Sequence, residues 1–528
     1  MKSIERICSI WFVLLFSTII LMLIIILRTL IFQQYLIESN CPINNRLDSR
    51  SSSDSMFEDQ HESIQDDPLF YDRLQTALRF RTITKAPQNY SIEESRKFLN
   101  FLRKSFPKIY ASELVQVQPI NELSLLIKIQ GSNPSLRPYM ILAHYDVVPA
   151  IEEQWRYPPF DGKMVDNYIY GRGALDLKSI LMAILEALEW MLTKRSEIVR
   201  SFYVAIGHDE EGRGLDGAAK IAEFMREYRL DDIEFILDEG PYIFQDSITG
   251  VRRNVAMIGI AEKGLINIRL TAKSSVGHSS LPPQKTSIVK LAEAVSRFKS
   301  TAHPNRFGQG PERETIESLA PYCSLFYKIL YTNLWLFGPL VGYLLENDPL
   351  LSSLIRTSTA VTIFKGGVKD NVLPSEAEAI INHRIYPLDS IGTVLEFDRN
   401  LINDPEIQLE QLGMAVEPHP ISPAGKQAFG YQTILKSIQQ VFPAVAVVPG
   451  VMYAATDTRW YLNFTKNIYR FSPGYLSLEN LSIVHGHNER FFVTTTIILI
   501  SITIIVISIN LIEDFFIKKT ISGCISIT

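Results

Sequence analysis

The chain reads as an α/β protein in which a mostly parallel sheet flanked by helices is interrupted by a smaller α+β unit. Three observations predict this. Short apolar β-type runs end in acids or histidine, in YMILAHYD, SFYVAIGHDEE and IEFILDEG. Between them apolar residues recur at helical spacing, as at Leu177, Ile180, Leu181, Ile184, Leu185, Leu188 and Met191, which marks a buried helix face. Such a strand, loop, helix rhythm places helices on both faces of one sheet. Finally, the rhythm changes after Lys263.

With 528 residues, 46% apolar and 21% charged, the chain has room for two or three cores. A net charge of −5 with no basic block argues against a nucleic-acid partner. Four cysteines, Cys8, Cys41, Cys323 and Cys524, lack CxxC spacing and are too few for a disulfide framework; at most Cys41 and Cys323 could pair.

In chain order, residues 1–33 hold a charge-free run from Ile10 to Leu27 between Arg6 and Arg28. That run reaches the minimum for a spanning helix, no small-x-small cleavage site follows, and an uncleaved signal anchor is favoured over a signal peptide. Either directs the protein into the secretory pathway, giving a single-pass membrane protein with a lumenal or extracellular enzyme domain, or a secreted one. Three sequons, at Asn89, Asn463 and Asn480, suit that environment. Residues 34–66 are polar and Ser-rich and read as a flexible stalk. Residues 67–262 and 419–490 form a discontinuous catalytic domain, with helical spacing in SIEESRKFLNFLRKSF and strands at LSLLIKIQ, YMILAH and AVAVVPG. Residues 263–418 are an inserted lid: a strand at GLINIRLTAKSS, a helix at SIVKLAEAVSRF, and strands at AVTIFKGG and AEAIINHRIYP. Its Leu-, Phe- and Trp-rich run from Leu325 to Leu345 suits core, an acyl-chain channel or a membrane contact.

In open α/β sheets, ligands bind at the carboxyl ends of the strands, where His144, Asp146, Glu210, Glu211 and Asp238 fall. Zinc takes imidazole and carboxylate ligands, and two neighbouring ions share a bridging carboxylate. Glycines in GRGALDLK set Asp176 between a strand end and a helix start, in place to bridge. Asp146, two residues beyond His144, can bond the far ring nitrogen and fix the tautomer. Adjacent Glu210 and Glu211 face opposite ways if extended, so one can ligate while the other acts as general base toward an attacking water. His485 completes the set, with His487 competing for the same role. Taken singly, HxD, EE and DEG motifs are commonly structural; their joint placement after strands carries the reading.

HYDVVP, WRYPPFDGKMVDNYIYGRGALDLKS, GHDEEGRG, LDEG, GHSSLPP and HGHNE together resemble the di-zinc metallopeptidase family of aminoacylase, acetylornithine deacetylase and carboxypeptidase S. The similarity runs from about Pro68 to Arg490 and is strongest toward the N-fatty-acyl-amino acid synthase/hydrolase branch, which the segment from Asn333 to Ala379 also resembles. The resemblance implies a ferredoxin-like lid that mediates dimerisation in many members. It implies two Zn²⁺ per subunit, held by His144, Asp176, Glu211, Asp238 and His485 with Asp176 bridging. It makes Glu210 the general base, Asp146 the orienting acid and His278 a histidine that approaches the oxyanion, often from a partner subunit. Asn371, Arg384 and Arg459 resemble substrate contacts, and a guanidinium fork suits an α-carboxylate.

Residues 491–528 depart from the family pattern: the charge-free run from Phe491 to Ile512 is long enough to be a second span, or forms a buried terminal element. The reading is a zinc-dependent amidohydrolase that cleaves, and reversibly forms, N-fatty-acyl amino acids. The alternatives are a carboxypeptidase S-like exopeptidase acting on short peptides, and an inactive lipid-binding ectodomain.

Overall fold

A strand apolar on both faces needs cover on both sides, and the computed structural model of the protein shows how the chain supplies it. The structure describes residues 2–39, 68–194, 197–245, 248, 250–347, 349–477 and 479–492. Most of the stalk assigned to 34–66, the C-terminal run beyond Phe492, Cys41 and Cys524 lie outside them. The N-terminal helix, Lys2–Ser39, continues past the expected end of the anchor. Cys323 is buried and has no disulfide partner among the described residues.

The main sheet has ten strands. At its centre Tyr139–His144 runs parallel to Phe202–Gly207 on one side and to Ile236–Asp238 on the other, and Ile236–Asp238 runs parallel to Ile468–Arg470. Antiparallel strands extend both edges, Ser124–Ile129 beside Phe202–Gly207 and Val255–Glu262 beside Ile468–Arg470, so the sheet as a whole is mixed. Helices Lys178–Lys194 and Phe429–Val441 cover one face through Leu181, Leu185, Leu188, Ile434 and Ile438. Helix Ala218–Glu227 covers the other through Ile221, Ala222 and Met225. The parallel centre matters for function because its carboxyl ends abut, with His144 level with Gly207.

The inserted segment builds its own four-stranded sheet in the order Ser358–Gly366, Glu376–Ile385, Gly264–Lys273, Ile407–Val416, every pair antiparallel. With helices Ser287–Ser300 and Ile391–Ile402 this is the β-α-β-β-α-β order of a ferredoxin-like unit. Strand Gly264–Lys273 alternates buried and half-buried positions, as expected when helices cover one face only. The apolar run from Leu325 lies outside this unit as helices Leu325–Thr332 and Leu334–Glu346. These bury Leu330, Leu334 and Val341 against Val255 and Val448 of the main sheet, and leave Leu325, Phe326, Trp335, Leu340, Tyr343 and Leu344 exposed. The run is therefore core on one side and an apolar surface on the other.

The chain enters and leaves the insertion at one place. The His419 amide donates to the Glu262 carbonyl at 3.0 Å. Buried Arg470 then clamps both crossovers, donating from Nε to Glu262 Oε2 at 2.7 Å and from Nη2 to His419 Nδ1 at 2.6 Å and Thr458 Oγ1 at 2.7 Å. Burial pushes the His419 pKa down to about 4, so its ring is neutral and Nδ1 is free to accept. Removing one partner of a buried ion pair leaves the other charge without compensation. Arg470→Ala should therefore lower stability by about 3–5 kcal/mol in chemical denaturation. Glu262→Leu/Arg470→Met, which removes both charges, should lose much less.

Candidate active site

Two groups of three donor side chains meet where the central strands end: His144, Glu210 and Glu239, and Asp176, Glu211 and His485. Asp176 links them. Its Oδ1 lies 3.0 Å from His144 Nε2 and its Oδ2 lies 2.8 Å from His485 Nε2, while His485 Nε2 is 3.1 Å from Glu211 Oε1. Each oxygen of one carboxylate thus faces one group.

Asp146 does more than touch His144. Its Oδ1 stands 3.3 Å from His144 Nδ1, and its two oxygens accept the backbone amides of Glu210 at 3.0 Å and Glu211 at 3.1 Å. That dual acceptance explains a departure from the extended geometry expected for the Glu pair. Glu210–Gly212 form a 3₁₀ turn, which turns both amides toward the same buried acid. The side chains still diverge, Glu210 to the His144 group and Glu211 to the Asp176 group. Glu210 Oε1 is held at 2.9 Å by Arg459 Nη2, and Arg459 Nε donates to the Thr456 carbonyl at 2.8 Å.

The electrostatics follow from carboxylates crowded out of water. Burial, with Asp176 adding to it, pushes Glu211 up to about 7 and Glu239 up to about 8. Burial pushes Glu210 well above the usual carboxylate range, with Arg459 opposing it. Contact with Asp176 and Glu211 pushes His485 up to about 10. Glu211 Oε1 and Asp238 Oδ2 are buried without a hydrogen-bond donor. Imidazoles, unpaired carboxylate oxygens and mutual carboxylate repulsion form a donor set that fits a pair of divalent cations.

The other expected residues fall in different places. Asp238 is buried beside the site, but its Oδ1 accepts the Glu239 amide at 2.9 Å, and it is Glu239, one residue on, whose carboxylate approaches His144 at 3.6 Å. The sequence reading missed Glu239. The strand ends at Asp238, so the next side chain turns away from the sheet toward the histidine. His487 is exposed and outside both groups, whereas His485 is inside one. Arg384 lies half-buried on lid strand Glu376–Ile385, its pKa lowered by burial, with Glu262 opposing the shift and Arg459 adding to it. His278 and Asn371 sit together at an exposed two-stranded pairing of Gly277–His278 with Val372–Leu373, where the Ser279 amide donates to the Asn371 carbonyl at 3.2 Å, and neither belongs to the two groups.

A second missed residue organises the site from behind. Glu489 is fully buried; Oε1 accepts the amides of Leu175 at 2.7 Å and Asp176 at 3.2 Å, and Oε2 accepts Arg172 Nη1 at 2.6 Å and the Gly173 amide at 3.2 Å. Arg172 Nη2 in turn donates to the carbonyls of His485 at 3.0 Å and Gly486 at 3.1 Å. One ion pair therefore fastens the loop of Asp176 to the loop of His485. The latter turns sharply: His485 has φ 60°, and a Cβ on Gly486 would stand 2.2 Å from the Ser482 carbonyl oxygen. Gly173, with φ +86°, has similarly little room, since a Cβ there would meet Val147 Cγ1 at 2.6 Å.

The profile of Peptidase family M20/M25/M40 matches residues 140–506. The chain belongs to that family. M20 membership makes it an amide-bond hydrolase. Among its relatives, the N-fatty-acyl-amino acid synthase/hydrolase PM20D1 of Mus musculus is 44% identical over 79% of this chain and 83% of its own length. The human PM20D1 is 41% identical over 80% and 83%, and carboxypeptidase S of Saccharomyces cerevisiae is 31% identical over 82% and 83%. The M20 family metallo-carboxypeptidase Sso-CP2 of Sulfolobus solfataricus shares the fold, with a TM-score of 0.63 at 18% identity over 84% of this chain and 99% of that one.

Because Glu489 positions two donor loops without entering either group, Glu489→Gln should weaken binding of the cation pair by about 10–100-fold, the range for partners behind metal ligands. Metal retention against a graded chelator, measured by elemental analysis, checks this.

Proposed function

We propose that the protein hydrolyses, and in reverse condenses, N-fatty-acyl amino acids, using two zinc ions held by His144, Asp176, Glu211, Glu239 and His485. The Asp176 carboxylate between His144 and His485, together with Glu210 held by Arg459 at the same strand ends, is the observation that supports this reading. Bound zinc ions would polarise the amide carbonyl and lower the pKa of water. The chain's own groups handle the protons and the charge. Glu210 takes a proton from the attacking water and returns it to the leaving nitrogen, so that an N-acyl amino acid and water yield a fatty acid and an amino acid. Two of the Arg459 donors are already committed, which leaves Arg384 the better placed to pair with the substrate's α-carboxylate. His278 and Asn371, exposed side by side on the lid, would act on a partner subunit's site in a dimer joined through its lids.

Three features support a fatty-acyl substrate and a membrane setting. Relatives named for that activity are 41–44% identical over about four fifths of the chain. The helix from Ile10 to Ile31 is long and apolar enough to cross a membrane, and most of its apolar side chains are exposed. Its end docks on the lid-side helices, where Arg28 Nε donates to the Thr332 carbonyl at 2.9 Å and Asn333 Nδ2 to Thr29 Oγ1 at 3.0 Å. The exposed apolar side chains of Trp335 and Leu344 belong to the helix that follows this docking point, and we read them as a lipid contact. The sequon residues Asn89, Asn463 and Asn480 are all exposed, as lumenal glycosylation requires.

Glu210→Gln should keep its bound zinc yet lose at least about a hundredfold in kcat, because an amide cannot accept the proton. An unchanged kcat would remove Glu210 from the proton path. Across acyl chains from acetyl to oleoyl, kcat/KM should rise with each methylene, with about 0.8 kcal/mol per buried CH₂ as the ceiling. A flat series together with rapid cleavage of blocked dipeptides would instead assign the carboxypeptidase activity.

A further inference from the structure

The layer between a ferredoxin-like sheet and its helices should be apolar, yet this lid places three ionisable side chains there. Inward-facing positions of strand Glu376–Ile385 are Ala377, Ala379, Ile381, His383 and Ile385. Inward positions of helix Ile391–Ile402 are Val394, Asp398 and Ile402. His383 and Asp398 thus occupy slots that their neighbours fill with aliphatic residues, and both are 0% exposed. His303, 4% exposed and just beyond helix Ser287–Ser300, completes the cluster.

Their donor atoms converge without hydrogen-bonding. His383 Nε2 is 3.1 Å from Asp398 Oδ2, and His303 Nε2 is 3.5 Å from Asp398 Oδ1. All four atoms are nevertheless buried with no hydrogen-bond partner, because neither contact has the required alignment. His383 Nδ1 is committed at 3.0 Å to Thr359 Oγ1, which leaves Nε2 as the atom available to the cluster. The His303 ring is fixed by the Phe397 ring at 4.2 Å and by an edge contact to His383 at 5.3 Å. Burial works against ionisation of Asp398, but the two imidazoles outweigh it and hold the carboxylate below its usual range.

We infer that His303, His383 and Asp398 form a third metal site, a structural site in the lid that binds one divalent ion of the zinc class through two imidazoles and a carboxylate. Two atoms bound to one zinc at about 2.0–2.1 Å and at a tetrahedral angle stand roughly 3.3 Å apart, close to the two nitrogen–oxygen distances here, and one donor atom from each of the three residues lies within 4.8 Å of the others. Two nitrogens and a carboxylate favour zinc over calcium or magnesium, which prefer all-oxygen shells. Full burial excludes substrate, so the ion's role is mechanical: it joins the segment following helix Ser287–Ser300 to a strand and a helix of the lid. The inference does not depend on the proposed substrate.

Elemental analysis of the purified full chain should find three divalent ions, two in Asp398→Asn, and two in His383→Leu/Asp398→Leu. The double variant restores an apolar layer without stranding a charge and should retain hydrolytic activity. If Asp398→Asn fails to fold, the double variant supplies the count. Brief chelation of the wild type should strip the active site first, since His485 is 49% exposed there, and leave one tightly held ion. X-ray absorption of that sample should show imidazole and oxygen scattering. No more than two ions in the wild type, or folded lid variants that match its metal content, would overturn the site and leave a buried ionic triad.

Discussion

Carboxylates brought together out of water repel one another and forfeit hydration, and the catalytic half is built around that constraint. Asp176, Glu210, Glu211, Asp238 and Glu239 lie close enough to shift each other's ionisation. Each is met by a compensating group: His144 and His485 for Asp176, Arg459 for Glu210, His485 for Glu211, a backbone amide for Asp238 and His144 for Glu239. The remaining unpaired oxygens are where cations belong. Parallel central strands follow from the same need, since their abutting carboxyl ends gather donors from distant parts of the chain on one edge.

Much of this was legible in the sequence because the signals are local. Acids directly after apolar runs located the strand ends, and the glycines of GRGALDLK located the Asp176 loop. Residues that act across the fold were harder to read. Glu489 follows HGHN with nothing in its neighbourhood to show that it reaches Gly173, Leu175 and Asp176, since those contacts exist only once two remote loops meet. Glu239 was not legible as a donor beside Asp238, because side-chain direction at a strand end depends on the turn that follows. The Glu210–Glu211 turn was likewise set by Asp146, an acceptor more than sixty positions away in sequence.

The lid was legible as strands and a helix of a separate unit, and its two polar intrusions were visible in retrospect. In AIINHRI the alternation that buries Ile381 and Ile385 also buries His383, and in IGTVLEFDRNLI the spacing that buries Val394 and Ile402 also buries Asp398. The apolar run from Leu325 was ambiguous for a physical reason: one face of its helices packs on the main sheet while the other remains open, and periodicity cannot say what covers an open face.

The adjacent crossovers at Glu262 and His419 have a consequence for how such proteins diversify. The ends of the lid are one hydrogen bond apart, and the network that joins them, Glu262, Arg470, Thr458 and His419, belongs almost wholly to the catalytic half. The ends of an insertion of roughly 150 residues therefore stay fixed while its four-stranded unit varies, and helices Leu325–Thr332 and Leu334–Glu346 within it add a separate hold on the main sheet. The four-stranded unit can be lengthened or exchanged without moving the two crossovers as long as the helices packed on Val255 and Val448 are kept, and the strand ends beneath then keep their geometry while the architecture above them evolves.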